Sequence, residues 1–232
     1  MHIAYTARAT EPAGHRGTFA LDLEGLQGSS FDLVLPSWVP GSYRITNYVR
    51  GFRGMRAERV PAGGELPVER IDKTRWRIAT GGSSSVHVEY TVYGHEMIDE
   101  AFDLTPDHMF LNAALCLPYV DGHLTDPVEV RLEIPTDWKV VTELEEVGSD
   151  PPRYRAPNYD ALVDNPIDAG HPLVVAIRPA GIPHRISLCG SGGNYELSRI
   201  ETDLAKIVEA AVALVGESVS YTHLTLPTTP YV

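Results

Sequence analysis

"VHVEYTVY" (residues 86–93) puts Val86, Val88, Tyr90 and Val92 on one side of an extended chain, and His87, Glu89, Thr91 and Tyr93 on the other. Period two over four to eight residues marks a strand with one dry face and one wet face. The pattern returns at residues 128–134, where Val128, Val130, Leu132 and Ile134 oppose Glu129, Arg131 and Glu133. Shorter runs lie at residues 3–7, 18–23, 31–35, 75–79, 139–142 and 173–177. Between them stand turn-forming clusters: "PAGG", "TGGSSS", "YVDGHLTDP" and "GSDPP". Many short strands with such punctuation predict a mainly β protein, its antiparallel sheets packed as a sandwich or a curved saddle.

Composition narrows the function. The 232 residues carry 31 acidic against 19 basic side chains, a net charge of −12. Such a surface repels phosphate backbones and anionic lipid, so neither nucleic acid nor membrane is an expected partner. The arginines between Arg44 and Arg59 read as the solvated edge of a strand and its turn. Cys116 and Cys189 stand far apart among apolar neighbours, which fits buried spectator thiols and a reducing compartment. The start, "MHIAYTARAT", lacks the apolar stretch of a secretion signal, so a cytoplasmic protein is expected.

The pattern changes near residue 180. "PHRISLCGSGGNYELSRIETDLAKIVEAAVALVGE" reads as a strand, a glycine turn and a helix. Leu197, Ile200, Leu204, Ile207, Val208, Ala211 and Val215 fall on one helical stripe, Ser198 and Glu201 have capping-box spacing, and Gly216 is a natural stop. An amphipathic helix after a β domain has an apolar stripe that needs a partner. The expected organisation is a β domain over residues 1–178 and the first strand and helix of an α+β domain over 179–218. The last stretch, "VSYTHLTLPTTPYV" (219–232), breaks with what precedes it. It resembles a translated sequencing adapter, which implies a natural boundary at about Ser218.

Recognised catalytic patterns are missing. No His-Glu-x-x-His stands on a helix, and the helix contains no histidine, so no zinc set is expected within the chain. "CGSGG" lacks the hydrolase-elbow spacing, and Tyr195 replaces the third glycine of a dinucleotide loop. The acid pairs Asp99/Glu100 and Glu145/Glu146 are sequence neighbours, which in a strand point to opposite faces. "SWVPGSY" (37–43) is stiff: Pro40 fixes φ, Gly41 permits the turn, and Trp38 and Tyr43 are expected to pack as plates on either side of it, with Ser42 between. Its chemistry favours a structural corner over a pocket wall.

"LPSWVPGSYRITNYVRGF" resembles the hallmark segment of the glycyl aminopeptidase family of zinc metallopeptidases. Further matches follow in order: "DKTRWRI", "VEYTVYG", "MFLNAALCLPYVDG", "LEIPTDWKVVTEL", "NYDALVDNPIDAG", "GIPHRISLCGSG" and "DLAKIVEAAVALVGE". The resemblance spans roughly residues 1–218. It implies an N-terminal β domain, then a thermolysin-like domain with the zinc ligands and a general-base glutamate, then often a PDZ domain. The histidine motif is not in this chain, so the implied role is a non-catalytic one: covering one side of the cleft and helping to hold a peptide by its free amino end. Phe110 and Asn112 of "MFLNAAL" are the candidate substrate contacts, Asn112 as a neutral acceptor. Asp164, shortly before Pro166, is expected to cap a turn. The alternative is a freestanding β-sandwich module that binds peptide or glycan through aromatic loops.

Overall fold

The computed structural model describes residues 1–39, 42–43, 45–96, 102–190 and 193–215. Pro40, Gly41, the Asp99/Glu100 pair, Gly216 and the 219–232 segment lie outside the described residues.

In chain order the elements are β1 (His2–Glu11), β2 (Arg16–Glu24), β3 (Ser30–Val34), β4 (Phe52–Arg59), β5 (Glu65–Leu66), β6 (Val68–Arg70), β7 (Arg75–Ala79) and β8 (Ser85–Tyr93). The second part runs through β9 (Phe102–Thr105), β10 (His108–Leu111), α1 (Ala113–Cys116), β11 (Tyr119–Val120), β12 (Val128–Glu133), β13 (Lys139–Val141) and β14 (Glu145–Ser149). It ends with β15 (Pro152–Ala156), α2 (Tyr159–Val163), β16 (Ile167–Gly170), β17 (Leu173–Ile177), β18 (His184–Leu188) and α3 (Leu197–Val215).

The strands form an eight-stranded sheet, β14-β15-β12-β1-β2-β8-β4-β5, and two four-stranded sheets, β13-β16-β10-β9 and β11-β3-β7-β6. The hairpin β17–β18 stands by itself as a two-stranded sheet. The expected mainly β, largely antiparallel architecture is what the chain adopts. One pairing departs from it: β1 and β12 run parallel, in register from Ile3↔Val128 to Arg8↔Glu133. More than a hundred residues separate them, so no hairpin turn dictates their direction.

Alternation sets the two faces of the large sheet. Val86, Val88, Tyr90 and Val92 of β8 are all buried, as are Val128, Val130 and Leu132 of β12. Aromatic rings join this sheet to both smaller ones. Phe52 stacks on Tyr90 with centroids 5.0 Å apart and on Trp76 of β7 at 5.7 Å, while Phe19 meets Phe102 of β9 edge-on at 5.3 Å. The wet faces are zipped by ion pairs between residues directly opposite each other: Asp22 with His87, Arg56 with Glu89, Arg8 with Glu133, Glu129 with Arg155 and Asp32 with Arg77. Such cross-strand pairs contribute roughly 0.2–1 kcal/mol each.

One irregular segment crosses the core. After β10 the chain makes the single turn α1 and continues through Leu117 and Pro118, all of it buried. Its carbonyls are met by three phenols from three different elements. Tyr90 of β8 donates to Cys116 O at 2.7 Å, Tyr159 of α2 to Leu117 O at 2.6 Å, and Tyr5 of β1 to Pro118 O at 2.9 Å. Burial pushes all three phenols well above their usual pKa, so they stay neutral donors.

The helix α3 occupies the expected stripe, but none of its described side chains is buried. Ile207 is 58% and Leu214 86% exposed. The capping box does not form. The helix starts at Leu197, which puts Ser198 inside the first turn, where its hydroxyl donates to Glu196 Oε1 at 3.1 Å.

Two outcomes test this account. Tyr90→Phe leaves the buried Cys116 carbonyl without its donor and costs about 1–3 kcal/mol in urea unfolding. Arg77, assisted by Arg75, holds the Asp32 carboxyl below its ordinary value in spite of burial. A depressed carboxyl contributes stability that is present above its unfolded pKa of about 3.9 and is lost as pH falls through the lower folded value. Asp32→Asn therefore removes part of the acid-side loss of stability below about pH 4, seen as a flatter plot of Tm against pH.

Candidate functional site

β10 carries the candidate residues at period two. Met109 and Leu111 enter the core, so His108 and Phe110 lie on the opposite face, and Asn112 follows them in line. Phe110 faces Asp103 of β9 on one side and Asp168 of β16 on the other. The outer face of this four-stranded sheet thus gathers two carboxylates and an imidazole around one phenyl ring. Gly170 permits the tight pairing: a Cβ there would stand 2.6 Å from Asp107 O and 3.2 Å from His108 Cα.

His108 is the hub. Its Nε2 is in hydrogen-bond contact with Asp168 Oδ1, and its Nδ1 lies 3.9 Å from Asp103 Oδ2, at ion-pair rather than hydrogen-bond distance. Burial opposes the imidazolium, but Asp103, Asp168 and Cys189 outweigh it and push His108 up to about 11. Burial alone would raise Asp168; His108 and the Ser187 hydroxyl hold it low instead. From the β17–β18 hairpin, Ser187 Oγ donates to Asp168 Oδ2 at 2.7 Å, and Cys189 Sγ, just past β18, reaches the same oxygen at 3.1 Å. Asp103 also faces His95 at 3.4 Å, whose ring stacks on His15 at 3.7 Å.

Asn112 serves as the N-cap of α1, its Oδ1 accepting from Ala114 N–H at 3.1 Å. Phe110 is only 5% exposed, so it supports the surface rather than presenting a ring to a ligand. Asp164 stands at the C-terminal end of α2, its N–H donating to Asp160 O at 3.0 Å, two residues before Pro166. Asn112 thus caps the start of α1, whereas Asp164 ends α2, whose own N-cap is Asn158.

Of "SWVPGSY", Ser37, Trp38, Val39, Ser42 and Tyr43 are among the described residues. The Trp38 indole donates to Ser42 O at 2.9 Å, and Ser42 N–H donates to Val39 O at 3.1 Å. The two-plate packing is not observed. Trp38 is 49% exposed and Tyr43 fully exposed, and the indole N–H is drawn to the main-chain carbonyl of Ser42 rather than packing against Tyr43. Cys116 is buried as expected, but Cys189 sits among polar groups. His108, Asp168 and Cys189 are brought together across three strands, which no spacing along the chain announces. The arginine run borders a cleft of about 350 Å³ with Arg70, Lys73 and Trp76. Arg53 and Arg70 direct their donors to main-chain carbonyls there, so the cleft reads as turn scaffolding.

A β-rich domain with its polar cluster on a small outer sheet and a near-detached hairpin and helix defines the class. The chain belongs to the peptidase M61 N-terminal domain family, whose model matches residues 4–171. Among solved structures it is similar to an aminopeptidase N family protein from Idiomarina loihiensis, with 33% identity and a TM-score of 0.85 over 93% of this chain and 37% of that one. Weaker likeness, at 11% identity, extends to an M1 zinc metallopeptidase variant from Deinococcus radiodurans bound to Tyr-Ser-Ala (TM-score 0.46, 91% of this chain and 52% of that one). The same identity holds for leukotriene A4 hydrolase from Saccharomyces cerevisiae (TM-score 0.41, 92% and 35%). The chain therefore spans about a third to a half of these proteins' lengths. No curated protein matches it.

Replacing the cap tests the local geometry. Asn112→Ala lowers stability by about 1 kcal/mol in thermal unfolding, and Asn112→Asp restores most of it.

Proposed function

We propose that this chain is the N-terminal β domain of a zinc-dependent aminopeptidase of the glycyl aminopeptidase type. In this reading residues 1–178 cover one side of the peptide cleft, and residues 179–218 open a thermolysin-like catalytic domain; a PDZ domain further on belongs to the same proposal. The observation that carries it is the family match over residues 4–171 together with a relative at 33% identity, of which this chain spans 37%. The unburied stripe of α3 supports it, since an amphipathic helix with Ile207 and Leu214 in solvent calls for a packing partner. Free thiols at Cys116 and Cys189 suit the cytoplasm.

The described residues do not fit the peptidase zinc of such enzymes: α3 carries no histidine, and the His108 cluster lies on a sheet. No hydrolytic step is assigned to this chain. Its part is to bind. The contact with the substrate's free amino end is assigned to Asn112, whose Oδ1 accepts the Ala114 N–H as the cap of α1. Phe110, buried behind it, fixes the end of β10.

The test is the longer polypeptide encoded by the continuous gene, assayed on aminoacyl p-nitroanilides. Hydrolysis is expected, lost on chelation and restored by Zn²⁺, and Asn112→Ala is expected to raise KM about tenfold with little change in kcat. Absence of hydrolysis, or hydrolysis indifferent to chelation, overturns the reading.

One observation favours a second reading, the freestanding peptide- or glycan-binding module: Trp38, Tyr43 and Ile45, close together in sequence, are all exposed. Under it the chain alone binds a peptide or oligosaccharide, and Trp38→Ala with Tyr43→Ala removes that binding in calorimetry.

A further inference from the structure

We propose that His108, Asp168 and Cys189 form a transition-metal site, with Zn²⁺ the ion that fits, which fastens the β17–β18 hairpin to the domain. The inference rests on this chain's own residues and does not depend on the peptidase reading. The imidazole nitrogen, carboxylate oxygen and thiol sulfur all lie within 4.8 Å of one another, and all three residues are partly buried. Ligands about 2.0–2.3 Å from one tetrahedral ion stand roughly 3–4 Å apart, so the group needs only small shifts to close on a metal.

The surroundings are those of a metal-binding imidazole. Asp103, its side chain 5% exposed, lies 3.9 Å from Nδ1 of His108, and that buried nitrogen lacks a hydrogen-bond partner among the described residues. A carboxylate behind the distal nitrogen is the arrangement that orients ligating histidines and fixes their tautomer. Ser187 Oγ donates to Asp168 Oδ2 at 2.7 Å, so Oδ1, which meets His108 Nε2, is the oxygen that would turn to the ion as it replaces the Nε2 proton. A thiolate with an imidazole and one carboxylate disfavours Mg²⁺ and Ca²⁺ and suits Zn²⁺, with water in the fourth position. Binding releases two protons to solvent, one from His108 Nε2 and one from the Cys189 thiol, while Asp168 is already ionised.

The hairpin has reason to need a fastening. Two strands alone are marginal in water, and no residue of β17 or β18 is buried. Among the described residues, Arg185 also ties it to the body, reaching Thr142 O at 2.7 Å and Glu143 at 2.8 Å. His108 and Asp168 come from the β domain and Cys189 from just beyond the hairpin, so one ion would join the two.

The test uses the complete 232-residue chain, reduced, freed of metal and titrated with Co²⁺. One equivalent is expected to bind with a near-ultraviolet thiolate-to-cobalt band and the intense visible bands of a tetrahedral site, and Zn²⁺ is expected to abolish both. Cys189→Ser is expected to lose the thiolate band, and both Cys189→Ser and His108→Gln to bind at least 100-fold more weakly, with unchanged far-ultraviolet circular dichroism. A readout free of variants is thiol labelling of the wild-type chain. Cys116 is buried and silent, and Zn²⁺ should slow labelling of Cys189 at least tenfold, reversed by chelator. No thiolate band at saturating Co²⁺, or labelling of Cys189 indifferent to Zn²⁺, overturns the proposal.

Discussion

The irregular backbone from Asn112 to Pro118 is the constraint on which the domain turns. It runs through the core where neither water nor a sheet ladder can satisfy its carbonyls, and an unmet buried carbonyl is costly. Tyr5, Tyr90 and Tyr159 solve this with three hydroxyls on three successive carbonyls. Each phenol comes from a different element, so the segment locks β1, β8 and α2 to one another. The same phenols add ring area to the core, with Tyr90 stacked between Phe19 and Phe52.

That clamp also places the candidate residues. The segment fixed at Cys116 through Pro118 follows directly on α1, which Asn112 caps, and on β10, whose Met109 and Leu111 enter the core. The outer face of the β13-β16-β10-β9 sheet then becomes a polar platform. Two aspartates and a protonated histidine occupy it, tied to the hairpin through Ser187 and Cys189. The molecule divides into a body rich in buried apolar side chains and a hairpin and helix in which no residue of β17 or β18 and no described side chain of α3 is buried. Stability concentrates in the first part; the second has few buried apolar contacts and is held by a few polar ties.

Much of the fold was legible because its signals are local. Strict alternation at residues 86–93 and 128–134 marked strands and their buried faces, and the helical stripe from Leu197 was found by its period. The hairpin β9–β10 and strand β16 carry no such signal, because their buried residues lie in short, mixed runs such as "FDLT" and "IDAG". Turn chemistry misled twice: Ser198 lies inside the helix rather than at its cap, and Tyr43 points into solvent rather than packing beside Trp38.

The sequence by itself determined the β class, the faces of the long strands, the late amphipathic helix and, through its ordered motifs, the peptidase family. These follow from periodicity and from short segments whose chemistry is complete in themselves. Tertiary structure alone decided the parallel pairing of β1 with β12, the three phenols on one buried segment, and the meeting of His108, Asp168 and Cys189. Each of these joins residues distant along the chain, and a hydrogen bond or a ligand set depends on distances in space that spacing along a chain does not encode.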